Sequence, residues 1–257
     1  MLRFRSLGSG SGGNATVVEA GGLLPFRLLV DCGLGIRQLT ARLAQAGLRP
    51  EDIDAVFITH EHGDHIGCAQ TLSLRHRIPV WMSQGTHSAI GLPDLDGLLH
   101  IARDAKAIDL GGMQLMPFTV PHDAREPLQL SCTDGSAKLG ILTDLGHATP
   151  HVMAHLQTCH ALLLEFNHDT ELLNQSVYPP FLKRRVAGDY GHLSNAAAAA
   201  IASAVAHDGL KHVVAAHLSA KNNRPDLVQD VLANALGCHS GDIMVAGPAS
   251  GTPWMQI

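Results

Sequence analysis

Short apolar runs, separated by glycine, proline and polar residues, predict a series of strands and helices in the first third of the chain. A helix is predicted at 36–46, where Leu39, Leu43 and Ala46 recur at helical spacing, and a second helix at 66–75. Strands are predicted at 2–7, 15–20, 26–31, 53–59 and 78–82. The passage 53–82 then has strand-helix-strand order, in which ligands bind beyond the carboxyl ends of the strands.

The rest of the chain repeats this order, with consecutive strands first and strand-helix alternation afterwards. An antiparallel meander is predicted from strands at 113–120, 128–133 and 137–143. Later strands are predicted at 161–165, 212–216 and 243–245, and helices at 195–206 and 225–236. Ser194 is expected to cap the first of these helices and Gly209 to end it. The two halves predict an α/β fold, a four-layer αββα sandwich with two sheets inside and helices outside.

Composition supports one domain over residues 1–257. Hydrophobic residues make up 46% of the 257 positions and charged residues 16%, which is typical of a chain with a substantial buried core. The net charge of -5 excludes a globally basic nucleic-acid binder but permits a local basic patch. Five scattered cysteines without a CxxC pair favour a reducing cytoplasm, and neither a signal peptide nor an 18-residue apolar stretch is present, so no membrane partner is expected.

The glycine-rich segment at 8–13 matches GxGxxG, with Asp31 near the place of a ribose-binding acid. A dinucleotide fingerprint must open a helix, whereas the β-branched residues that follow and the breaks at 21–25 predict a strand. A glycine turn is therefore the expected structure. A functional alternative has its backbone N–H groups and Ser11 or Asn14 facing a bound phosphate.

The stretch Thr59-His60-Glu61-His62-Gly63-Asp64-His65 places four potential metal ligands directly after a predicted strand. His60 and His62 are two residues apart and can point the same way from an extended segment, which leaves Asp64 and His65 to face a neighbouring centre. Neutral imidazoles suit zinc, and an aspartate supplies the negative charge that lets a second cation bind nearby. The stretch therefore predicts ligands for two metal ions.

Residues 60–65 also resemble the HxHxDH signature of the metallo-β-lactamase superfamily, which implies that superfamily's αββα fold and its hydrolytic chemistry. The resemblance adds His122, Asp144 as the carboxylate that bridges both ions, and His217, each after a predicted strand. Asp31 matches an acid that supports the ligands, with a strand-end cap as the alternative. The implied ligands of two divalent ions are His60, His62, Asp64, His65, His122, Asp144 and His217. Zinc is favoured over manganese, and two ions about 3.5 to 4 Å apart would share a bridging hydroxide.

Four further segments, 165–169, 183–185, 191–195 and 216–223, together with 8–15 and 31–34, resemble the YycJ (WalJ) subgroup of nucleases, which is related to ribonucleases J and Z. The resemblance implies a phosphodiesterase, a 5′ to 3′ exonuclease on double-stranded DNA rather than RNA. His192, with Asp64 and Asp144, is then expected to be catalytic, as a donor to the leaving oxygen. A structural histidine beside a helix is the alternative for His192.

Substrate contacts are expected from Ser11, Asn14, His168, Lys183, Arg184, Arg185 and Asn195. The alternatives are an ordinary loop histidine at 168 and a solvated surface for the basic run at 183–185. Without a visible cap insertion, the chain is expected to grip DNA as a homodimer or through short loops. Two other function classes stay open: a small-molecule hydrolase, such as a glyoxalase-type thioesterase or a cyclic phosphodiesterase, and a non-catalytic metal-binding module.

Overall fold

Fourteen strands form two sheets in the computed structural model, which describes residues 1–22 and 24–257. In chain order the strands are β1 Leu2–Gly8, β2 Ala15–Ala20, β3 Phe26–Val30, β4 Ala55–Phe57, β5 Val80–Met82, β6 Leu99–Ile101, β7 Ile108–Asp109, β8 Gln114–Thr119, β9 Leu128–Thr133, β10 Lys138–Leu142, β11 Ala161–Glu165, β12 His212–Ala216, β13 Met244–Val245 and β14 Met255–Gln256. The predicted meander is confirmed, because β8, β9 and β10 pair antiparallel.

Each sheet joins an antiparallel half to a parallel half. The first sheet has the order β14-β1-β2-β3-β4-β5-β6 and is parallel from β3 onward. The second has the order β13-β12-β11-β10-β9-β8-β7 and is parallel from β13 to β10. The parallel halves bring the carboxyl ends of β3 and β4, and of β10, β11 and β12, to one edge of their sheet, where residues following the strands can converge.

Helices cover the outer faces of both sheets. They are α1 Ile36–Gln45, α2 Gly63–Ile66, α3 Ala69–His76, α4 Gln84–Ala89, α5 Pro150–Leu156, α6 Thr170–Gln175, α7 Pro180–Val186, α8 Asn195–Ala204 and α9 Pro225–Leu236. Short 3-10 turns lie at Pro50–Asp52 and Ser240–Asp242. One apolar cluster joins the facing sides of the two sheets, including Phe57 and Leu130. Two outer clusters join the first sheet to α1 and α3, and the second sheet to α5, α8 and α9. The predicted four-layer αββα sandwich is confirmed.

Two predicted helix boundaries were wrong. The helix expected at 66–75 is interrupted at Gly67, whose φ of 28° is not helical and whose position leaves only 2.2 Å between an added Cβ and the Cys32 carbonyl oxygen. The helix expected at 195–206 ends at Ala204, well before Gly209, which therefore does not end it. Its start was right, since the Ser194 hydroxyl accepts a hydrogen bond from the Ala197 N–H at 3.2 Å.

The sequence analysis did not predict several short elements, namely β6, β7, β14, α4, α5, α6 and α7. Of these, α7 buries none of its residues. Within residues 1–22 and 24–257, helices that are long and apolar enough to cross a bilayer are absent. The assignment of all 257 residues to a single domain stays a prediction.

Candidate metal centre

Three residues that follow parallel strands have a left-handed backbone. The φ angles are 61° at Asp31 after β3, 59° at Asp144 after β10 and 54° at His217 after β12. This left-handed region of φ and ψ is unfavourable for residues other than glycine, although aspartate tolerates it better than most. The turns are held by hydrogen bonds, among them the Asp31 N–H to the Phe57 carbonyl at 2.8 Å and the His217 N–H to the Ser9 hydroxyl at 2.7 Å. The fold therefore maintains a strained backbone at the edge where the candidate ligands lie.

His60, His62 and His122 form a first group, in which one ring nitrogen of each residue lies within 4.8 Å of the other two. The His62 Nδ1 and His122 Nε2 atoms are 3.3 Å apart. His122 donates from Nδ1 to the Gly191 carbonyl at 3.1 Å, which leaves its Nε2 lone pair toward the group. The buried His60 Nε2 has no hydrogen-bond partner among the described residues. Burial, followed by the charge of His65, keeps the pKa of His60 well below its usual value, so this ring is neutral and can bind a metal.

Asp64, His65 and His217 form a second group within the same distance limit. His65 uses Nδ1 to donate to Asp31 Oδ2 at 2.8 Å, so a neutral ring carries its lone pair on Nε2. That Nε2 lies 2.9 Å from Asp144 Oδ2, a buried oxygen without a hydrogen-bond partner in the described part of the chain. A nitrogen lone pair and a carboxylate oxygen at this distance are stabilised by a shared cation. The His217 Nε2 to Asp64 Oδ2 distance is 3.4 Å.

Asp144 connects the two groups. Besides its contact with His65, its Oδ1 lies 3.3 Å from His217 Nδ1 and 4.0 Å from His122 Nε2. Burial opposes ionisation, but His217 and His65 hold the pKa of Asp144 well below its usual value. The partnerless atoms of His60 and Asp144 and the mixed imidazole and carboxylate donors fit two divalent ions. The structure brings the predicted ligands together, and His60, His65 and Asp144 also form a cluster that links the two groups. The assignment of each residue to one of two ions, and the choice between zinc and manganese, stay predictions.

Asp31 holds the metal loop in place. Its Oδ1 accepts hydrogen bonds from the Thr59 N–H at 2.9 Å and the Thr59 hydroxyl at 3.0 Å, and its Oδ2 accepts from His65. The two alternatives considered for Asp31, a strand-end cap and a support for the ligands, therefore occur together. A carboxylate behind a ligating histidine fixes the tautomer and the orientation of the ring.

Glu165 is a functional candidate that the sequence analysis missed as a site residue. This fully buried carboxylate accepts from His192 Nδ1 at 2.8 Å and from His217 Nδ1 at 3.0 Å, both on Oε1, and from the Leu193 N–H at 2.9 Å on Oε2. Burial opposes ionisation, but His192 and His217 lower the pKa of Glu165 to about 2. A glutamate ending an otherwise apolar strand was the available signal, because a buried acid needs partners.

The carboxylates in turn raise the pKa values of three histidines. Burial opposes the charge of His65, but Asp144 and Asp31 raise its pKa well above the usual value. Burial alone would lower the pKa of His217, but Asp144 and hydrogen bonds to Asp64 and Glu165 raise it to about 10. Burial also opposes the charge of His192, but Glu165 raises the pKa of this ring above its usual value. Since His192 Nδ1 is bonded to Glu165, its Nε2 is the nitrogen left for a substrate.

An open cleft of about 370 Å³ gives access to the centre, and Ser11 and Arg185 of the predicted substrate residues line it. The Arg185 Nε is 2.5 Å from Asp123 Oδ2 and its side chain is largely exposed. Lys183 instead donates to the Asn174 carbonyl at 2.6 Å. Lys183 and Arg184 are not among the residues that line the cleft in the described structure.

Three other predicted substrate residues are buried. Asn14 lies under the metal loop, where its Nδ2 donates to the Asp64 carbonyl at 3.2 Å. Asn195 exchanges hydrogen bonds with Asn223 at 2.8 and 2.9 Å. His168 is 2% exposed, and its Nδ1 has no hydrogen-bond partner among the described residues. The amides of Asn14 and Asn195 are bonded to the protein, which favours support of the surrounding loops, and a substrate contact from any of the three residues stays a prediction.

Residues 26–218 match the family described as the β-lactamase superfamily domain, which is more than half of the chain. The chain belongs to the metallo-β-lactamase superfamily. Within this superfamily it is 33% identical over 240 residues to the exodeoxyribonuclease YycJ of Bacillus anthracis, a match that covers 91% of the chain and 89% of the relative. It is 31% identical to the exodeoxyribonuclease WalJ of Streptococcus pneumoniae serotype 2, with 91% and 88% covered. The resemblance to this subgroup of superfamily hydrolases is confirmed.

A solved structure supports the same fold. The metallo-β-lactamase fold protein YhfI from Bacillus subtilis superposes with a TM-score of 0.76 over 98% of both chains, at 16% sequence identity. At that identity the likeness bears on architecture alone, and it agrees with the four layers described above. The protein is thus a superfamily metallohydrolase with nuclease relatives.

Proposed function

We propose that the protein is a 5′ to 3′ exonuclease that hydrolyses double-stranded DNA. The observation that carries the proposal is the position of His192, which is fixed by Glu165 at 2.8 Å and lines the cleft beside Asp64 and Asp144. The names of two relatives, each an exodeoxyribonuclease that matches most of the chain, support DNA as the substrate. Polarity and strand preference are extended here from the subgroup resemblance.

Two divalent ions, bound by the seven ligands and favoured as zinc, would polarise a phosphoryl oxygen and lower the pKa of water. Among the described residues, Arg185 is the arginine that lines the cleft, and its planar guanidinium suits bidentate contact with a phosphate. Its ion pair with Asp123 holds the guanidinium beside the His122 loop. Ser11 lines the same cleft and offers a hydroxyl to the DNA backbone.

His192 supplies the proton that the leaving oxygen needs. Glu165 accepts a hydrogen bond from the His192 Nδ1–H and raises the pKa of the ring. The protonated imidazole therefore presents its Nε2–H to the substrate. Because Glu165 also accepts three further hydrogen bonds, from the Leu145 N–H, the Leu193 N–H and His217, it is rigidly placed. We assign His192 the role of general acid and Glu165 the role of a positioning residue.

Hydrolysis of end-labelled duplex DNA in zinc or in manganese tests the proposal. The protein is expected to release label from the 5′ end first, and His192→Ala is expected to lower kcat by about 10²- to 10⁴-fold. The same variant should lose far less activity toward bis(p-nitrophenyl) phosphate, because p-nitrophenolate leaves without a proton. His239→Ala, which removes an exposed histidine, is the matched control and should retain full activity.

Several outcomes would contradict this reading. Equal losses on both substrates would remove the acid role from His192, and earlier release of a 3′ label would reverse the polarity. Equal cleavage of RNA would end the preference for DNA. Intact nucleic acid together with cleavage of a thioester or a cyclic nucleotide would favour a small-molecule hydrolase. Dimerisation as a means of holding DNA stays a prediction, tested by sedimentation with and without duplex.

A further inference from the structure

A second cavity of about 180 Å³ lies next to the metal cleft. Ser11, Asp123, Arg185 and His192 line both spaces, so the two are neighbours that meet at His192. A phosphate in the metal cleft can therefore have its leaving group beyond His192, in the second space. We call this second space the side cavity.

The side cavity is lined by both apolar and polar groups. Tyr178, Leu182 and Val186, from α7 and the turn before it, supply an aromatic ring and two aliphatic groups. Asn167 and Ser219, from the loops after β11 and β12, supply hydrogen-bonding groups. An aromatic ring together with hydrogen-bonding groups is the chemistry that recognises a nucleobase, whose faces stack and whose edge carries donors and acceptors.

Asn222 also lines the side cavity, and one of its polar atoms has no hydrogen-bond partner in the described structure. It is 1% exposed, its Nδ2 donates to the Ser219 hydroxyl at 3.3 Å, and its Oδ1 has no hydrogen-bond partner among the described residues. Turning the amide over would exchange the two atoms and leave Nδ2 without a partner instead. In both orientations one buried polar atom in the wall of the side cavity is left for a ligand to satisfy.

The volume limits what can enter. An apolar cavity of about 150 Å³ in another protein holds a single benzene ring. The side cavity, at about 180 Å³, therefore has room for one ring system and not for a run of nucleotides. The side cavity therefore takes one base of a DNA strand, and for an exonuclease that acts from the 5′ end this is the terminal base.

We propose that the side cavity binds the base of the 5′-terminal nucleotide, on the leaving-oxygen side of the scissile phosphate. The inference rests on the proposed nuclease function and adds a binding site to it. In hydrolysis the oxygen of water forms a bond to phosphorus and the water gives up a proton to solvent, while the bond from phosphorus to O3′ of the terminal nucleotide breaks. O3′ takes a proton from His192, which a proton from solvent then replaces. The terminal nucleotide then leaves the side cavity, and the shortened strand keeps the phosphate at its new 5′ end.

The site is tested by a double-mutant cycle, in which one change is made in the protein and the other removes a base from the DNA. Wild-type protein and Tyr178→Ala are compared on three duplexes: an unmodified one, one with an abasic 5′-terminal residue, and one with an abasic second residue. Loss of one stacked base is expected to lower kcat/KM for the first cleavage by about tenfold. Tyr178→Ala should cause a similar fall on the unmodified duplex and no further fall on the duplex whose terminal residue is abasic.

Phe181→Ala is the matched control, since Phe181 on α7 is 65% exposed and does not line the side cavity. It should behave as the wild type on all three duplexes. Leu182→Trp, which fills the side cavity, gives a second measure and should also lower kcat/KM about tenfold on the two duplexes that keep the terminal base, but not on the duplex whose terminal residue is abasic. Melting temperatures of all variants check that each one is folded.

Three results would overturn the inference. In the first, Tyr178→Ala and the terminal abasic residue each lower kcat/KM and their losses add. In the second, kcat/KM falls on removal of the second base instead of the first. In the third, Leu182→Trp is folded and keeps full activity. Wild-type cleavage of DNA without any dependence on the terminal base would remove the side-cavity site and leave the nuclease function. Intact DNA with continuing hydrolysis of bis(p-nitrophenyl) phosphate would overturn the proposed function, and the inference with it.

Discussion

Replacement of Asp31 by asparagine is expected to weaken metal binding without removing a ligand. Asp31 accepts hydrogen bonds from Thr59 and, on Oδ2, from His65 Nδ1 at 2.8 Å. An amide can keep the bonds to Thr59 through its oxygen, but its NH₂ group would then face His65. That contact favours the tautomer with the proton on Nε2, the nitrogen directed at Asp144.

The magnitude follows from the type of bond that is lost. A hydrogen bond to a charged group contributes about 1.5 to 3 kcal/mol. Mutation of such a supporting carboxylate typically costs about 10- to 100-fold in metal affinity. A loss of about 1.4 to 2.8 kcal/mol corresponds to that range. We therefore expect the zinc Kd of Asp31→Asn to rise between ten- and a hundredfold.

Competition for zinc against a chromophoric chelator measures this change directly and does not depend on catalysis. Asp54→Asn is the control, because the exposed Asp54 carboxylate accepts from the Arg27 N–H at 2.7 Å, away from the metal loop. The control should bind zinc as the wild type does. An unchanged Kd in folded Asp31→Asn would refute the role of Asp31 in fixing the His65 tautomer.

Two further predictions concern the fold around the site. Gly33→Ala should abolish tight zinc binding, because the added Cβ would lie 1.6 Å from the Asp64 carbonyl oxygen. Gly35→Ala is the control, since a Cβ at Gly35 has no atom of the described chain within 4 Å, and this variant should bind zinc normally in the same competition assay. Phe57→Ala should lower the free energy of unfolding in urea by about 3 to 5 kcal/mol, because Phe57 is fully buried between the sheets. Phe181→Ala, at an exposed position, should change it by less than about 0.5 kcal/mol. A mild effect of Gly33→Ala or of Phe57→Ala would contradict the packing described.

Much of the sandwich could be predicted because its long elements carry local signals. The apolar runs that form β11 and β12 and the capped, alanine-rich α8 are recognisable without their neighbours. By contrast, β14 exists through its pairing with Arg3 and Phe4, far away in the chain. The helix α7 buries no residue and begins at Pro180, directly after Pro179, so apolar periodicity does not mark it. Such elements depend on tertiary contacts that a local pattern does not contain.

The candidate site also has a part that the sequence predicts and a part that it does not. The residues at 60–65 are dense enough in ligands to predict a metal loop by themselves. Glu165 is separated from His192 by 27 positions and from His217 by 52, so its hydrogen bonds appear only when the parallel strands are adjacent. The basic run at 183–185 offered three equivalent candidates for contact with phosphate. In the helix α7 these residues point in different directions, and Arg185 is the one that lines the cleft.

The two groups of candidate ligands draw on both sheets, and this has a consequence for how the protein acquires its ions. The loop after β4 supplies His60 and His65, whereas Asp144 and His217 follow β10 and β12 of the other sheet. Contacts between residues so distant in sequence form slowly, since a long loop must close before they gain any energy. A nascent chain that has made only β1 to β6 therefore holds an incomplete ligand set. Tight capture of metal follows the docking of the second sheet, which ties the loading of the centre to completion of the fold.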